Sequence, residues 1–194
     1  EQLIADISRW LEDFNFLEEA LGEKSIYRFE ELADTFINKS INPENVAMKA
    51  RAVLKLEGDE TVRDVCGLLE SSGIKIYPYK LATDDFFGLS VAPMEGGPAI
   101  IVNTWERITV ERWIFSTIHE LGHLLMHLNA YDVKKSDESK NEEKEADLFA
   151  SYFLMPRKVF ESEWSDTYGL PFMDRVLKVK RIFKVSYKTV LYRL

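Results

Sequence analysis

Ser116-Thr117-Ile118-His119-Glu120-Leu121-Gly122-His123-Leu124-Leu125 is the stretch on which the reading of this chain turns. It holds His-Glu-x-x-His inside an apolar run that predicts a helix from about Thr109 to Leu128. On a helix, residues i and i+4 stand one turn apart on one face, so the imidazoles of His119 and His123 can reach the same Zn²⁺. Glu120 then falls beside the metal, where a general base for water belongs. From Trp113 to Met126, Glu120 is the only residue with a formal charge. A lone carboxylate in an apolar helix costs desolvation energy, which favours a chemical role over the bland alternative of two core histidines and a capping acid.

The chain has three histidines, and all of them lie in this run: His119, His123 and His127. A catalytic zinc takes three protein ligands and keeps one position open. A rise of about 1.5 Å per residue puts His127 roughly 12 Å from His119 along a straight helix, too far for both to bind at about 2 Å. The position six residues past His123, where metzincins place a third histidine, is Asn129. The third ligand is therefore expected to be a carboxylate. A helix predicted over 142–155 opens with Glu142, Glu143, Glu145 and Asp147. Glu143 and Asp147 share a face, whereas Glu145 points about 200° away from Glu143 and is expected to be solvated. Glu142 and Glu145 read as acids that simply favour a helix N-terminus.

Outward from these two helices the pattern changes twice. Leu3, Ile4, Ile7, Trp10, Leu11, Phe14 and Leu17 recur at helical spacing, with Gly22 as a stop. Further helices are predicted over Phe29–Ile37 and from Pro43 to Leu56. After a break at Gly58-Asp59-Glu60, another should run from a Thr61 cap to Ser71. Three strand-like runs follow, Ile74–Tyr79, Phe87–Ala92 and Ala99–Val102, the last two joined by a hairpin-like loop over 93–98. Asn129–Asn141 reads as a polar loop. Pro156 ends the 142–155 helix, and two more helices fit Pro171–Phe183 and Ser186–Leu194. Helices, a small antiparallel or mixed sheet, then helices make an α+β chain, not a βαβ series. The expected division is a helical extension or linker over 1–45, a zincin-like metallopeptidase domain over 46–165 and a C-terminal helical subdomain over 166–194.

Composition narrows the function. Among 194 residues, 25 Lys and Arg stand against 33 Asp and Glu, a formal charge of −8. Such a chain does not track phosphate backbones by its overall field, so direct DNA binding is not expected of it. One cysteine, Cys66, excludes an internal disulfide and a thiolate zinc cage and fits a reducing, cytoplasmic setting. No apolar run reaches the length of a membrane span, and no segment reads as a signal peptide. The start at Glu1 fits a piece of a longer protein. From Arg175 to Arg193 there are seven Lys or Arg and no acid. That segment resembles the second half of a helix-turn-helix, although a solvated face of a packed helix pair explains it as well.

Three blocks resemble the ImmA/IrrE metallopeptidase family. One is Arg112-Trp113-Ile114-Phe115 running into the His119–His127 stretch. Another is Glu143-Lys144-Glu145-Ala146-Asp147 and on to Pro156, which has the Glu-x-x-Ala-Asp form of gluzincins. The family usually has Asn where this chain has Asp147, and Asp keeps the acceptor. The third and weaker block is Leu68–Ile76 with Ile100-Ile101-Val102-Asn103. The resemblance implies that Glu143 is the third ligand of one zinc per chain and that Asp147 accepts a proton from a ligand imidazole. It also implies a bacterial or phage-borne protease that cuts a helix-turn-helix repressor, in stress response or mobile-element control, often with a DNA-binding domain upstream. Tyr131, Tyr152, Tyr168 and His127 are candidates for stabilising the oxyanion. Arg112 could anchor the zinc helix or its acids, or contact the oxyanion or substrate; a surface ion pair explains it equally well. The strand around Ala99–Asn103 is either an ordinary sheet strand or a template for an extended substrate. The alternative function is a regulatory zinc-binding module that binds a repressor or ligand without cutting it.

Overall fold

The computed structural model describes residues 2–36, 42–57, 60–127 and 140–194. Four helices come first: α1 (Gln2–Leu21), α2 (Glu30–Phe36), α3 (Pro43–Val53) and α4 (Val65–Glu70). Three strands follow, β1 (Lys75–Tyr79), β2 (Gly88–Val91) and β3 (Ala99–Asn103), and then α5 (Val110–Met126), α6 (Lys140–Leu154), α7 (Arg157–Ser165), α8 (Phe172–Phe183) and α9 (Tyr187–Arg193). The α+β order stands. The expected loop from Asn129, with Tyr131, lies outside the described residues as far as 139; Lys140 and Asn141 are already helical.

The sheet is mixed, in the order β1-β3-β2. β1 runs parallel to β3, and β2 antiparallel to it, with Ser90 opposite Ile100. All five residues of β3 are buried, because both faces of the sheet are covered. Ala99 and Ile101 pack with Ile7 and Leu11 of α1, while Ile100 and Val102 join the main core with Ile118 and Leu121 of α5. A continuous apolar run is what such a strand needs. Trp10 stacks on Tyr77 at 4.5 Å, the Tyr79 hydroxyl donates to Asp6, and Lys75 pairs with Glu18 at 3.2 Å; together these hold α1 to the sheet. Since β3 has a neighbour on each side, an extended substrate cannot add to Ala99–Asn103. The edge nearest α5's charged residues belongs to β2 instead.

Three local expectations change. α4 starts at Val65, not near Thr61, because the Asp64 carboxylate accepts from the Gly67 N–H at 2.9 Å and caps it. α7 was not anticipated: Pro156 ends α6 but also stands as the N-cap of α7, and proline suits a helix start as well as a stop. Glu145, expected in solvent, meets His127 (below). In the basic C-terminal segment, several cations serve packing. Arg175 donates to Trp164 O and Thr167 Oγ1, Lys180 to Glu111, and Arg193 to Met155 O. No described helix is long and apolar enough to cross a membrane.

Candidate metal centre

Thr109 caps α5, its side chain accepting from Arg112 N–H. The helix lies between the sheet and α6. Contacts rise along α5 as they fall along α6: His119 meets Asp147, and His127 meets Glu145, so the two helices are antiparallel. Gly122 lets them approach closely. A Cβ there would sit 3.0 Å from Phe149 Cδ1 and 3.3 Å from Ala146 Cα, tighter than ordinary carbon contacts of about 3.5–4.0 Å.

That approach brings three donors together. His119 Nε2 and His123 Nε2 are 3.0 Å apart. Glu143 Oε2 is 3.3 Å from the first, and its Oε1 is 3.1 Å from the second. Ligands bound at about 2.0–2.1 Å around a tetrahedral zinc stand about 3.3 Å from one another, so two imidazoles and a carboxylate at these separations fit that ion in both chemistry and spacing. These three form the one His/Cys/Asp/Glu group of this kind among the described residues. Asp147 Oδ1 lies 2.9 Å from His119 Nδ1, on the far side of that ring.

Glu120 is buried, and burial is the chief reason its carboxyl is pushed up; the neighbouring histidines and a hydrogen bond from the Ser90 side chain pull the other way. Burial alone would lower His119, but hydrogen bonds to Asp147 and Glu143 outweigh it and push it up to about 10. The same hydrogen bonds, from His119 and then His123, hold Glu143 far below the usual carboxylate range.

A cleft of about 460 Å³ opens over these groups, walled by Phe86, Phe87, Gly88 and Leu89 on one side and by Arg112, Phe115 and Ser116 of α5 on the other. The sheet approaches Glu120 as closely as α6 approaches Gly122. A Cβ at Gly88 would stand 2.9 Å from Glu120 Cγ and 3.0 Å from its Oε1. Asn103 holds the loop that leads to this wall. Its side-chain N–H groups donate to Leu81 O and Phe86 O, and its oxygen accepts from the N–H groups of Leu81 and Trp105.

The remaining sequence candidates separate by place. Arg112 lines the cleft with its guanidinium 4.0 Å from the Phe87 ring. His127 is buried behind His123, away from the cleft, and burial lowers it. Tyr152 is not in the cleft wall: its hydroxyl accepts from Arg157, and Arg193 stacks on its ring. Tyr168 is 91% exposed. Tyr131 lies outside the described residues. The sequence points to neither Gly88 nor Ser90, and to Asn103 only as the end of a strand-like block, not for its side chain. Their only sequence signal is a glycine and small polar residues within β-like runs.

No curated protein matches the sequence significantly. A solved Mycobacterium tuberculosis transcriptional regulator has a similar fold, with a TM-score of 0.52 at 18% identity over 85% of this chain and 51% of that one. The chain thus spans about half the length of that regulator. The model of the M78 peptidases, described as the IrrE N-terminal-like domain, matches residues 69–194, a span that takes in the sheet, the paired histidines and Glu143. The chain belongs to that peptidase family.

Proposed function

We propose that this chain is a zinc-dependent endopeptidase acting on a protein, a helix-turn-helix repressor whose cleavage relieves repression. One observation carries the reading: the donors of His119, His123 and Glu143 lie within 4.8 Å of one another, and Glu120 faces the same cleft. These three residues would hold one Zn²⁺. When bound, the ion polarises the scissile carbonyl and acidifies water.

Glu120 takes the proton from the attacking water and returns it to the leaving amine. Its burial raises its proton affinity, and Ser90 holds the carboxylate in place. Asp147 accepts from His119 Nδ1, keeping Nε2 unprotonated toward the metal. Asn103 N–H donates to Phe87 O, so alternation turns the backbone groups of Gly88 and Ser90 away from β3, toward the outer edge. An extended segment of substrate can add there, beside Glu120.

The test is incubation of zinc-loaded protein with the repressor encoded beside it. Wild type should cut it. Glu120→Gln should keep its zinc and lose about 10²-fold or more in rate. Cleavage that survives Glu120→Gln removes the base from Glu120. Bound zinc with no cleavage favours a second reading, a regulatory module that binds without cutting; that reading draws on the solved neighbour's being a transcriptional regulator.

A further inference from the structure

His127 stands one turn past His123, at the C-terminal end of α5, where the backbone leaves helical geometry. Its Nδ1 lies 3.1 Å from His123 Nδ1. Its Nε2 lies 3.1 Å from Glu145 Oε2, and Glu145 Oε1 in turn accepts from Asn141 Nδ2 at 2.8 Å. We propose that His127 and Glu145 form a relay that fixes the ring of His123, and so act as positioning residues of the metal centre. The inference rests on the zinc site proposed above.

Hydrogen-bond chemistry leaves one arrangement of protons. His123 Nε2 faces His119 Nε2 and Glu143 Oε1, so that nitrogen offers its lone pair to the cation. A neutral imidazole then carries its proton on Nδ1, and His123 Nδ1–H donates to His127 Nδ1. His127 must accept there, which places its own proton on Nε2, where it donates to the Glu145 carboxylate. Every donor along the chain meets an acceptor. His119 obtains the same support in one step from Asp147. Behind His123 Nδ1 the imidazole of His127 leads on to the Glu145 carboxylate. Groups that hold a ligand's second nitrogen fix its tautomer and its orientation.

The test uses the 194-residue chain with zinc. Zinc affinity is measured by competition with a chromophoric chelator, and side-chain nitrogen NMR on the zinc-loaded wild type reads which ring nitrogen carries each proton. Removing such outer contacts typically weakens metal binding by about 10–100-fold. His127→Ala should show a loss of that size. His127→Asn, whose oxygen can accept from His123 Nδ1–H, should recover most of it. Glu145→Leu should weaken binding, and Glu145→Gln, which keeps an acceptor, should weaken it less. The NMR spectrum should show His123 protonated on Nδ1 and His127 on Nε2. A folded His127→Ala that binds zinc as tightly as wild type overturns the relay. So does a proton on His127 Nδ1, a result that decides the matter even if His127→Ala does not fold. A wild-type chain that binds no zinc overturns the metal site itself, which is a different failure.

Discussion

Replacing Gly122 with alanine or valine drives a side chain into the seam between α5 and α6. The alanine Cβ would lie 3.0 Å from Phe149 Cδ1 and 3.3 Å from Ala146 Cα. Ordinary contact begins at about 3.5 Å, so the helices must part by roughly 0.5 Å. Valine's methyl groups reach about 1.5 Å further and require a larger displacement. Glu143 rides on α6, while His119 and His123 ride on α5. Any parting of the helices adds to the present 3.1 and 3.3 Å gaps between carboxylate and imidazoles, whereas a zinc site tolerates about ±0.2 Å. Zinc affinity should therefore fall on the order of tenfold for Gly122→Ala and a hundredfold or more for Gly122→Val. Stability should respond differently. Overpacking costs about 1–3 kcal/mol, but replacing a mid-helix glycine with alanine returns about 0.5–1 kcal/mol. Gly122→Ala should thus lose about 0–2.5 kcal/mol of metal-free stability while its zinc binding weakens. Chelator competition reads the first quantity and urea denaturation of the metal-free protein reads the second. A folded Gly122→Val with wild-type zinc affinity would show that helix spacing does not set the reach of Glu143.

Gly88→Ala places a methyl 2.9 Å from Glu120 Cγ and should cut turnover by roughly 10²-fold, since displacements of about 1 Å have that effect; zinc content should not change, and an active variant would refute the contact. Asn103→Ala removes four hydrogen bonds around the 81–87 loop and should destabilise the fold by about 3 kcal/mol, read by denaturant titration; a loss under about 1 kcal/mol would contradict that network. Zinc binding should release a proton near neutral pH, because His119 is raised from 6.5 to about 10 without metal. Zinc affinity should accordingly climb as pH rises toward about 10, which calorimetry in buffers of different ionisation enthalpy can follow. For the metal-free protein the sign reverses: with its folded value raised, His119 contributes stability fully present below about 6.5 and lost as pH approaches about 10. Thermal melts of metal-free protein should show that alkaline loss, and flat melts across this range would refute the assignment.

Much of the architecture was legible because its signals are local. The spacing of His119 and His123 and the isolation of Glu120 mark the α5 helix, and the continuous run Ala99–Val102 suits a strand covered on both faces. Glu143 was harder. Elimination reached only a carboxylate, and the choice among neighbouring acids came from a motif. What stayed hidden depends on how separate elements meet. Nothing in Phe87-Gly88-Leu89-Ser90 announces that β2 lies at an edge beside Glu120, since strand order arises only from the folded sheet. Counting angles around one helix puts Glu145 in solvent. Such counting ignores α5, whose end brings buried His127 within reach. Pro156 signals a helix stop, yet the same ring conformation also opens α7.

The most direct measurement is zinc content together with X-ray absorption at the zinc edge, on wild type, His119→Ala, Glu143→Ala and Glu120→Gln. Wild type and Glu120→Gln should each hold one zinc per chain, bound by two imidazole nitrogens and a carboxylate oxygen at about 2.0–2.2 Å, with most of it lost from the other two variants. A wild-type chain without zinc, or full zinc retained in His119→Ala or Glu143→Ala, would contradict that ligand set.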